Sequence, residues 1–241
     1  MEKGKNRIIF PLDVASVAEA EELVKLLDGR VGMFKIGLEL FIDQGPSIVK
    51  RVRALSSAGI FLDLKLHDIS ATVKKAMASA ARIGVDLVTV HASSSRKMLE
   101  MAVAGGNGKT RVLGVTLLTD NDASVVNECG FRDEYVNQTE LLVLKRAMLA
   151  HAAGCSGVVC SGHEAGVIKK KFGKEFLVVT PGIRPLWSSV ANDDQERITT
   201  PAMAVKQGAD LIVVGRPIRS AADPAAAADR IAGEIEQALE S

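Results

Sequence analysis

The chain has 241 residues, 47% of them hydrophobic, with 30 basic residues against 29 acidic ones. This size supports one large core, expected as a single domain over residues 1–241, and the balanced charge excludes a general attraction to nucleic acid or to an anionic membrane. Met1 to Arg7 are polar and charged, and no apolar run reaches the length of a membrane span, so a cytoplasmic location is expected. Cys129, Cys155 and Cys160 are odd in number and lack metal-ligand spacing, which predicts reduced thiols packed as small buried hydrophobes.

Short β-branched runs alternate with longer helical patterns along the whole chain. Strands are expected at Ile8 to Leu12, Met33 to Ile36, Ile60 to Lys65, Leu87 to His91, Arg111 to Thr116, Gly157 to Cys160, Phe176 to Thr180 and Leu211 to Val214. Between them the periodicity predicts helices near Val17 to Leu27, Pro46 to Ala58, Thr72 to Ile83, Ser94 to Ala104, Thr139 to Ala153, Glu164 to Lys171, Pro201 to Gln207 and Asp223 to Leu239. Eight βα units in this length favour the α/β class and a single (β/α)8 TIM barrel over an open sheet. The glycine cluster Gly105-Gly106-Asn107-Gly108 follows a helix and precedes a strand, the reverse of a dinucleotide fingerprint, and is expected to be a turn. Leu117 to Gln138 and Pro181 to Thr200 are too long for simple connectors and would emerge at the face where barrel enzymes keep their sites.

The third strand carries charges at its carboxyl end: Asp63-Leu64-Lys65-Leu66-His67-Asp68. Period two places Asp63 and Lys65 on one face, with Leu62 and Leu64 on the other. Asp68 follows in the loop, where it can fold back toward the same mouth, so that two carboxylates flank one ammonium and keep Lys65 protonated as a proton donor. A salt-bridge network that merely closes a strand end is the plain alternative, but burying charges at a barrel mouth is costly unless they are well paired, and apolar replacements often stabilise such sites, so their presence suggests use. Asp13 after the first strand and Lys35 near the end of the second would bring the alternating set Lys35, Asp63, Lys65 and Asp68 to one pocket. His67 and His91 are expected in structural or hydrogen-bonding roles, since a lysine already stands as donor.

Thr180-Pro181-Gly182-Ile183-Arg184 follows the seventh strand and Gly215-Arg216-Pro217-Ile218 the eighth. In barrel enzymes these loops often form a phosphate site; Gly215 would let backbone approach an anion, and Arg216 offers a planar fork of donors. Chemistry and phosphate would then lie at opposite ends of one elongated substrate.

Asp63-Leu64-Lys65-Leu66-His67-Asp68-Ile69 with Thr72 resembles the D-x-K-x-x-D-I-x-x-T signature of the orotidine 5'-phosphate decarboxylase family. Phe10-Pro11-Leu12-Asp13, Phe34-Lys35-Ile36-Gly37, Val115 to Thr119, Thr180 to Arg184, Asp194-Gln195 and Val214 to Ile218 fall in the family's order, so the resemblance spans nearly the whole chain. It implies a homodimeric barrel without cofactor or metal that converts orotidine 5'-monophosphate (OMP) to UMP and carbon dioxide, the last step of de novo UMP synthesis. By the same resemblance Lys65 protonates C6, Asp63 sits beside the departing carboxylate, and Asp68, Ile69 and Thr72 reach the neighbouring subunit's site. Asp13 and Lys35 hold the ribose hydroxyls, Thr119 lies along the substrate, and Arg184, Gln195, Gly215 and Arg216 bind the phosphate beneath a lid from Pro181 to Arg197. Ser70 departs from the pattern, which usually has proline there; this should loosen the loop a little. The stretch from Arg184 to Gln195 is also about two residues longer than bacterial members suggest, and Trp187 within it is either an anchor or a surface residue.

Two other readings remain open at this level. Magnesium-dependent keto-sugar-phosphate decarboxylases of the wider suprafamily share the D-x-K-x-x-D strand, but resemble one another in a carboxylate metal ligand where this chain has Lys35, whose charge would repel magnesium. A silent nucleotide-binding barrel would not require an ammonium pinned between carboxylates.

Overall fold

The computed structural model describes residues 2–188 and 199–240. Its elements in chain order are α1 (Glu2–Lys5), β1 (Ile8–Pro11), α2 (Val17–Leu27), β2 (Met33–Ile36), α3 (Leu38–Gln44), α4 (Ser47–Leu55), β3 (Gly59–Leu66), α5 (Ser70–Ile83), β4 (Leu87–His91), α6 (Arg96–Gly106), β5 (Arg111–Val115), α7 (Ala123–Glu128), α8 (Asp133–Asn137), α9 (Thr139–Ala152), β6 (Gly157–Val159), α10 (Gly162–Phe172), β7 (Leu177–Thr180), α11 (Pro201–Lys206), β8 (Leu211–Val213), α12 (Arg216–Arg219) and α13 (Pro224–Glu240). The eight strands pair in parallel in sequence order, and β8 closes on β1 through Ile8↔Ile212 and Ile9↔Val213, giving the expected (β/α)8 barrel. All eight strands stand where the alternation of apolar runs put them, within about two residues.

Two apolar layers result from the period of two along each strand. Ile9, Met33, Phe61, Leu87, Leu113 and Val179 point inward and fill the barrel. Their neighbours Ile8, Phe10, Phe34, Ile60, Leu62 and Val88 point outward into a larger core shared with the helices. The inner layer is a packed plug, so any site must sit above it, at the carboxyl ends of the strands. Helix starts are set by side-chain caps: Ser16, Ser95, Asp122 and Thr200 each accept an N–H from three residues on, at 3.2, 3.2, 2.9 and 3.2 Å. Each such cap contributes about 1 kcal/mol. At the opposite end of the barrel, Asp86 and Asp210 accept the backbone N–H of Ile60 and Val178 at 2.7 Å each and pair with Arg53 and Lys169, tying neighbouring strands together where no chemistry is placed.

Five short helices were not expected from periodicity: α1, α3, α7, α8 and α12 span only four to seven residues, too few turns for a repeating pattern. α7 and α8 organise the 117–138 segment, whose Phe131, Tyr135 and Val136 pack on the outer core. The glycine cluster needs correction too. Gly105 and Gly106 are the last helical residues of α6, and the turn begins only at Asn107, with φ of 50°, and Gly108, with φ of 67°. Gly105 is there for proximity: a Cβ would lie 2.4 Å from the Lys74 carbonyl oxygen and 2.7 Å from Met77 Cβ, both on α5. Cys155 and Cys160 are buried as expected, whereas Cys129 is exposed at the end of the short α7, outside the core that the other two join. Burial pushes the Cys155 thiol up to about 12. No helix among the described residues is long and apolar enough to cross a membrane.

Gly105→Ala should therefore lower stability by about 2 kcal/mol through overpacking, a fall in Tm of roughly 4–8 °C for a chain of this size. Gly106→Ala meets nothing nearer than Met77 Cε at 3.7 Å and should be neutral or slightly stabilising. Thermal denaturation of the two variants side by side checks the pair.

Candidate active site

The inward parity that builds the plug also lifts polar side chains onto its upper surface. Two residues beyond Ile9, Met33 and Phe61 come Pro11, Lys35 and Asp63, with Pro11 paired to Lys35 across β1 and β2. Lys35 Nζ lies 3.0 Å from Asp13 Oδ1 and 3.6 Å from Asp63 Oδ2, and Lys65 Nζ lies 3.0 Å from the same Asp63 oxygen. Asp63 and Lys35 are nearly buried, Lys65 is partly open, and Asp13 is at the rim. Burial alone would raise the Asp63 carboxyl pKa; the Lys35 and Lys65 ammoniums, with hydrogen bonds from Lys65 and Thr89, reverse this and hold it below its ordinary value.

Lys65 does not continue a regular strand. Its φ is 49°, a left-handed value uncommon outside glycine. Leu62 pairs with Val88 and Leu66 with Val90, so four residues of β3 advance against two of β4. This bulge turns the backbone at the lysine while its ammonium returns to Asp63. Bulges often re-aim a side chain at a site in this way.

A cavity of about 440 Å³ opens above the plug, lined by Asp13, Lys35, Asp63 and Thr119 together with Arg184, Gly215, Arg216 and Arg219. The charged strand ends and the loops after β7 and β8 thus face one volume, as the sequence suggested. Gly182 adopts a φ of 73° that favours glycine, and a backbone bridge from Ile183 to Thr199 closes the base of the long loop. Gly215 is required by the barrel itself: a Cβ there would meet Pro11 Cγ at 2.8 Å. Asp194 and Gln195 lie outside the described residues.

Asp68 corrects one expectation. It does not fold back to Lys65 within its own chain; its carboxylate accepts the Ile69 N–H at 2.6 Å, and it lines a separate recess with His67, Ile69, Ser70 and Ser95. Asp68, Ile69 and Thr72 are all exposed, Ile69 to 72%. Of the four charges expected in one pocket, Lys35 and Asp63 line it, Lys65 joins them through its ion pair with Asp63, and Asp68 faces outward. Ser70 is the first residue of α5, a position that suits proline because its N–H has no partner within the helix, so serine there costs rigidity and no contact.

Thr89 and Arg219 escaped the sequence reading. Thr89 is fully buried beneath the charges, its Oγ1 donating to Asp63 Oδ1 at 2.8 Å and accepting the Lys65 N–H at 2.9 Å. A lone hydroxyl in the run Leu87-Val88-Thr89-Val90 was its signal, since it takes the inward parity of Leu87. Arg219 donates to the Asp13 backbone carbonyl, and its spacing of three from Arg216 places both on one side of a helical turn. His91 sits with its ring centroid 5.5 Å from that of His67. Burial, then His67, Lys65 and Arg146, lower its pKa against a smaller opposing effect of Asp63, which favours neutral imidazole. Trp187 is an anchor: its indole N–H donates to Glu234 on α13, and the Arg230 guanidinium lies 4.4 Å from the ring centroid.

Comparison with known proteins decides the family. Residues 6–231 match the model of the "Orotidine 5'-phosphate decarboxylase / HUMPS family". The chain belongs to that family. The orotidine 5'-phosphate decarboxylase of Desulfosudis oleivorans is 50% identical over 236 residues, covering 98% of this chain and 95% of the relative. That of Pelobacter propionicus is 45% identical over 239 residues, with 97% of each covered. Among solved structures, the orotidine 5'-phosphate decarboxylase from Lactobacillus acidophilus superposes with a TM-score of 0.80 at 35% identity, covering 95% of this chain and 98% of that one. Membership of this decarboxylase family accounts for the order of the motifs from Phe10 to Ile218 along the chain.

Because Asp63 is held below its ordinary pKa, the stability it contributes is present at neutral pH and is lost as pH falls through that lowered value. Asp63→Asn should cost about 2 kcal/mol at pH 7, leaving the Lys65 ammonium without its carboxylate. That difference from the parent should shrink toward zero in strong acid. Denaturant unfolding of both proteins from pH 7 to pH 2.5 checks the sign; a gap that stays constant or widens would contradict it.

Proposed function

We propose that the chain decarboxylates OMP to UMP and carbon dioxide, completing de novo UMP synthesis, in a single cytoplasmic barrel domain that uses no metal or cofactor. The observation that carries this reading is the Lys65 ammonium, held 3.0 Å from Asp63, which lines a cavity shared with three arginines. Decarboxylation breaks the bond between C6 and the carboxyl carbon and leaves its electron pair at C6. An ammonium fixed beside that carbon stabilises the developing charge without reorganising, then transfers a proton to C6 as carbon dioxide leaves; the neutral lysine regains its proton from solvent.

The remaining roles are those that the family resemblance implies. Asp63 sits beside the departing carboxylate, Asp13 and Lys35 take the ribose hydroxyls, and Thr119 lies along the substrate. Arg184, Gly215 and Arg216 take the phosphate with Gln195, and Arg219 adds a third guanidinium. Guanidinium forks suit phosphate oxygens, and binding energy gathered there can be used to enclose and orient the distant ring. Lys35 stands within 3.0 Å of Asp13 and 3.6 Å of Asp63, so a positive charge already occupies the front of both carboxylates, which favours OMP over a magnesium-bound keto-sugar phosphate. The cysteines, two buried and none in a disulfide, fit a reducing compartment.

Asp68, Ile69 and Thr72 are assigned to the partner's site in a homodimer. All three are exposed and absent from the lining of their own chain's cavity, and Asp68 and Ile69 line a separate recess, which supports the assignment.

Purified protein in excess EDTA should convert OMP to UMP, followed by the fall in ultraviolet absorbance, and Lys65→Ala should lose about 10³-fold or more in kcat. Turnover only with magnesium and a sugar phosphate would overturn the reading. Sharing of the site is checked by mixing: Lys65→Ala and Asp68→Ala homodimers, unfolded and refolded together, should regain about a quarter of wild-type activity, the statistical yield of hybrid dimers with one intact site. If Asp68 served its own chain, mixing would restore nothing.

A further inference from the structure

Asp63 has two oxygens, and the groups around them are divided. Oδ2 faces both ammoniums, at 3.0 Å from Lys65 and 3.6 Å from Lys35, while Oδ1 faces the Thr89 hydroxyl at 2.8 Å. The direction of the hydrogen bonds at Thr89 is forced. Its Oγ1 lies 2.9 Å from the Lys65 backbone nitrogen, which can only donate, so the single hydroxyl proton is left for the carboxylate. Thr89 is fully buried, so no solvent competes for either bond. The Lys65 N–H it accepts belongs to the residue at φ 49°, inside the bulge where β3 and β4 lose their ladder register. An N–H displaced from its ladder at a partly buried position is costly unless another acceptor is supplied.

We infer that Thr89 is a positioning residue: one hydroxyl holds the left-handed turn at Lys65 and the rotation of the Asp63 carboxylate together, and so fixes the ammonium where the reaction needs it. The inference rests on the decarboxylase reading for its kinetic consequence, though not for its structural one. Thr89 does not itself line the cavity, so it acts on the site only through its bonds to Asp63, which does line it, and to the Lys65 backbone. Valine at this position keeps the β-branched shape and the volume while removing both hydrogen bonds; serine keeps the hydroxyl and loses a methyl group. A residue needed only for packing would tolerate valine better than serine. A positioning hydroxyl demands the reverse.

The test compares Thr89→Val and Thr89→Ser with the parent by OMP turnover, UMP affinity, thermal denaturation and crystal structure. Thr89→Val should lose about 10- to 100-fold in kcat while UMP affinity stays within about threefold, because a small displacement of a reacting group lowers the rate without touching the phosphate grip. Thr89→Ser should recover kcat to within about threefold of the parent. In the crystal structure of Thr89→Val, Lys65 should leave the left-handed region or Asp63 should turn its carboxylate away from Lys65. Unchanged kcat in Thr89→Val, an equal loss in Thr89→Ser, or an unaltered Asp63–Lys65 geometry would overturn the inference. If the parent itself fails to turn over OMP, the functional reading falls, and the crystal structure of Thr89→Val still decides whether Thr89 holds the pair.

Discussion

One carboxylate facing two ammoniums governs the mouth of this barrel. Asp63 lies between Lys35 and Lys65, nearly buried, and each of the three charges would be costly alone at that depth. Mutual pairing makes the cluster tolerable, and the hydroxyl beneath it satisfies the oxygen that the lysines do not reach. The energetic logic runs against stability for its own sake. An apolar residue would pack on the plug at lower cost, so the charges point to electrostatic use.

Rigidity below and adaptability above divide the work. The apolar plug and the outer core hold the strand ends at fixed heights, and the carboxylates at the far end of the barrel brace adjacent strands. The arginines, by contrast, come from loops and a four-residue helix, elements able to adjust around an anion. A substrate with a reactive ring at one end and a phosphate at the other would span both regimes.

Much of this was legible in the residues themselves. Alternation placed the eight strands, and the same parity put Asp63 and Lys65 on one face, where their ion pair joins them. What escaped detection was set by geometry that periodicity does not encode. The bulge at Lys65 gives no local signal, because neither proline nor glycine marks it. Thr89 was overlooked because a threonine in a strand is unremarkable until its neighbour across the sheet is known. Asp68 was placed in its own chain's pocket by proximity in sequence, although the turn after β3 sends it outward. Gly105 and Gly106 suggested a turn by composition, while the need for α5 and α6 to touch kept them helical. Gln195 belongs to a stretch outside the described residues.

Trp187 carries a consequence of a different kind. The chain has a single tryptophan, and its indole is clasped between Glu234 and Arg230 of the last helix, a few residues after the cavity-lining Arg184. Every photon of indole emission therefore originates at the junction between that loop and the barrel's outer wall. The molecule carries its own optical probe, placed where the long loop departs, and needs no label for the environment of that junction to be followed in real time.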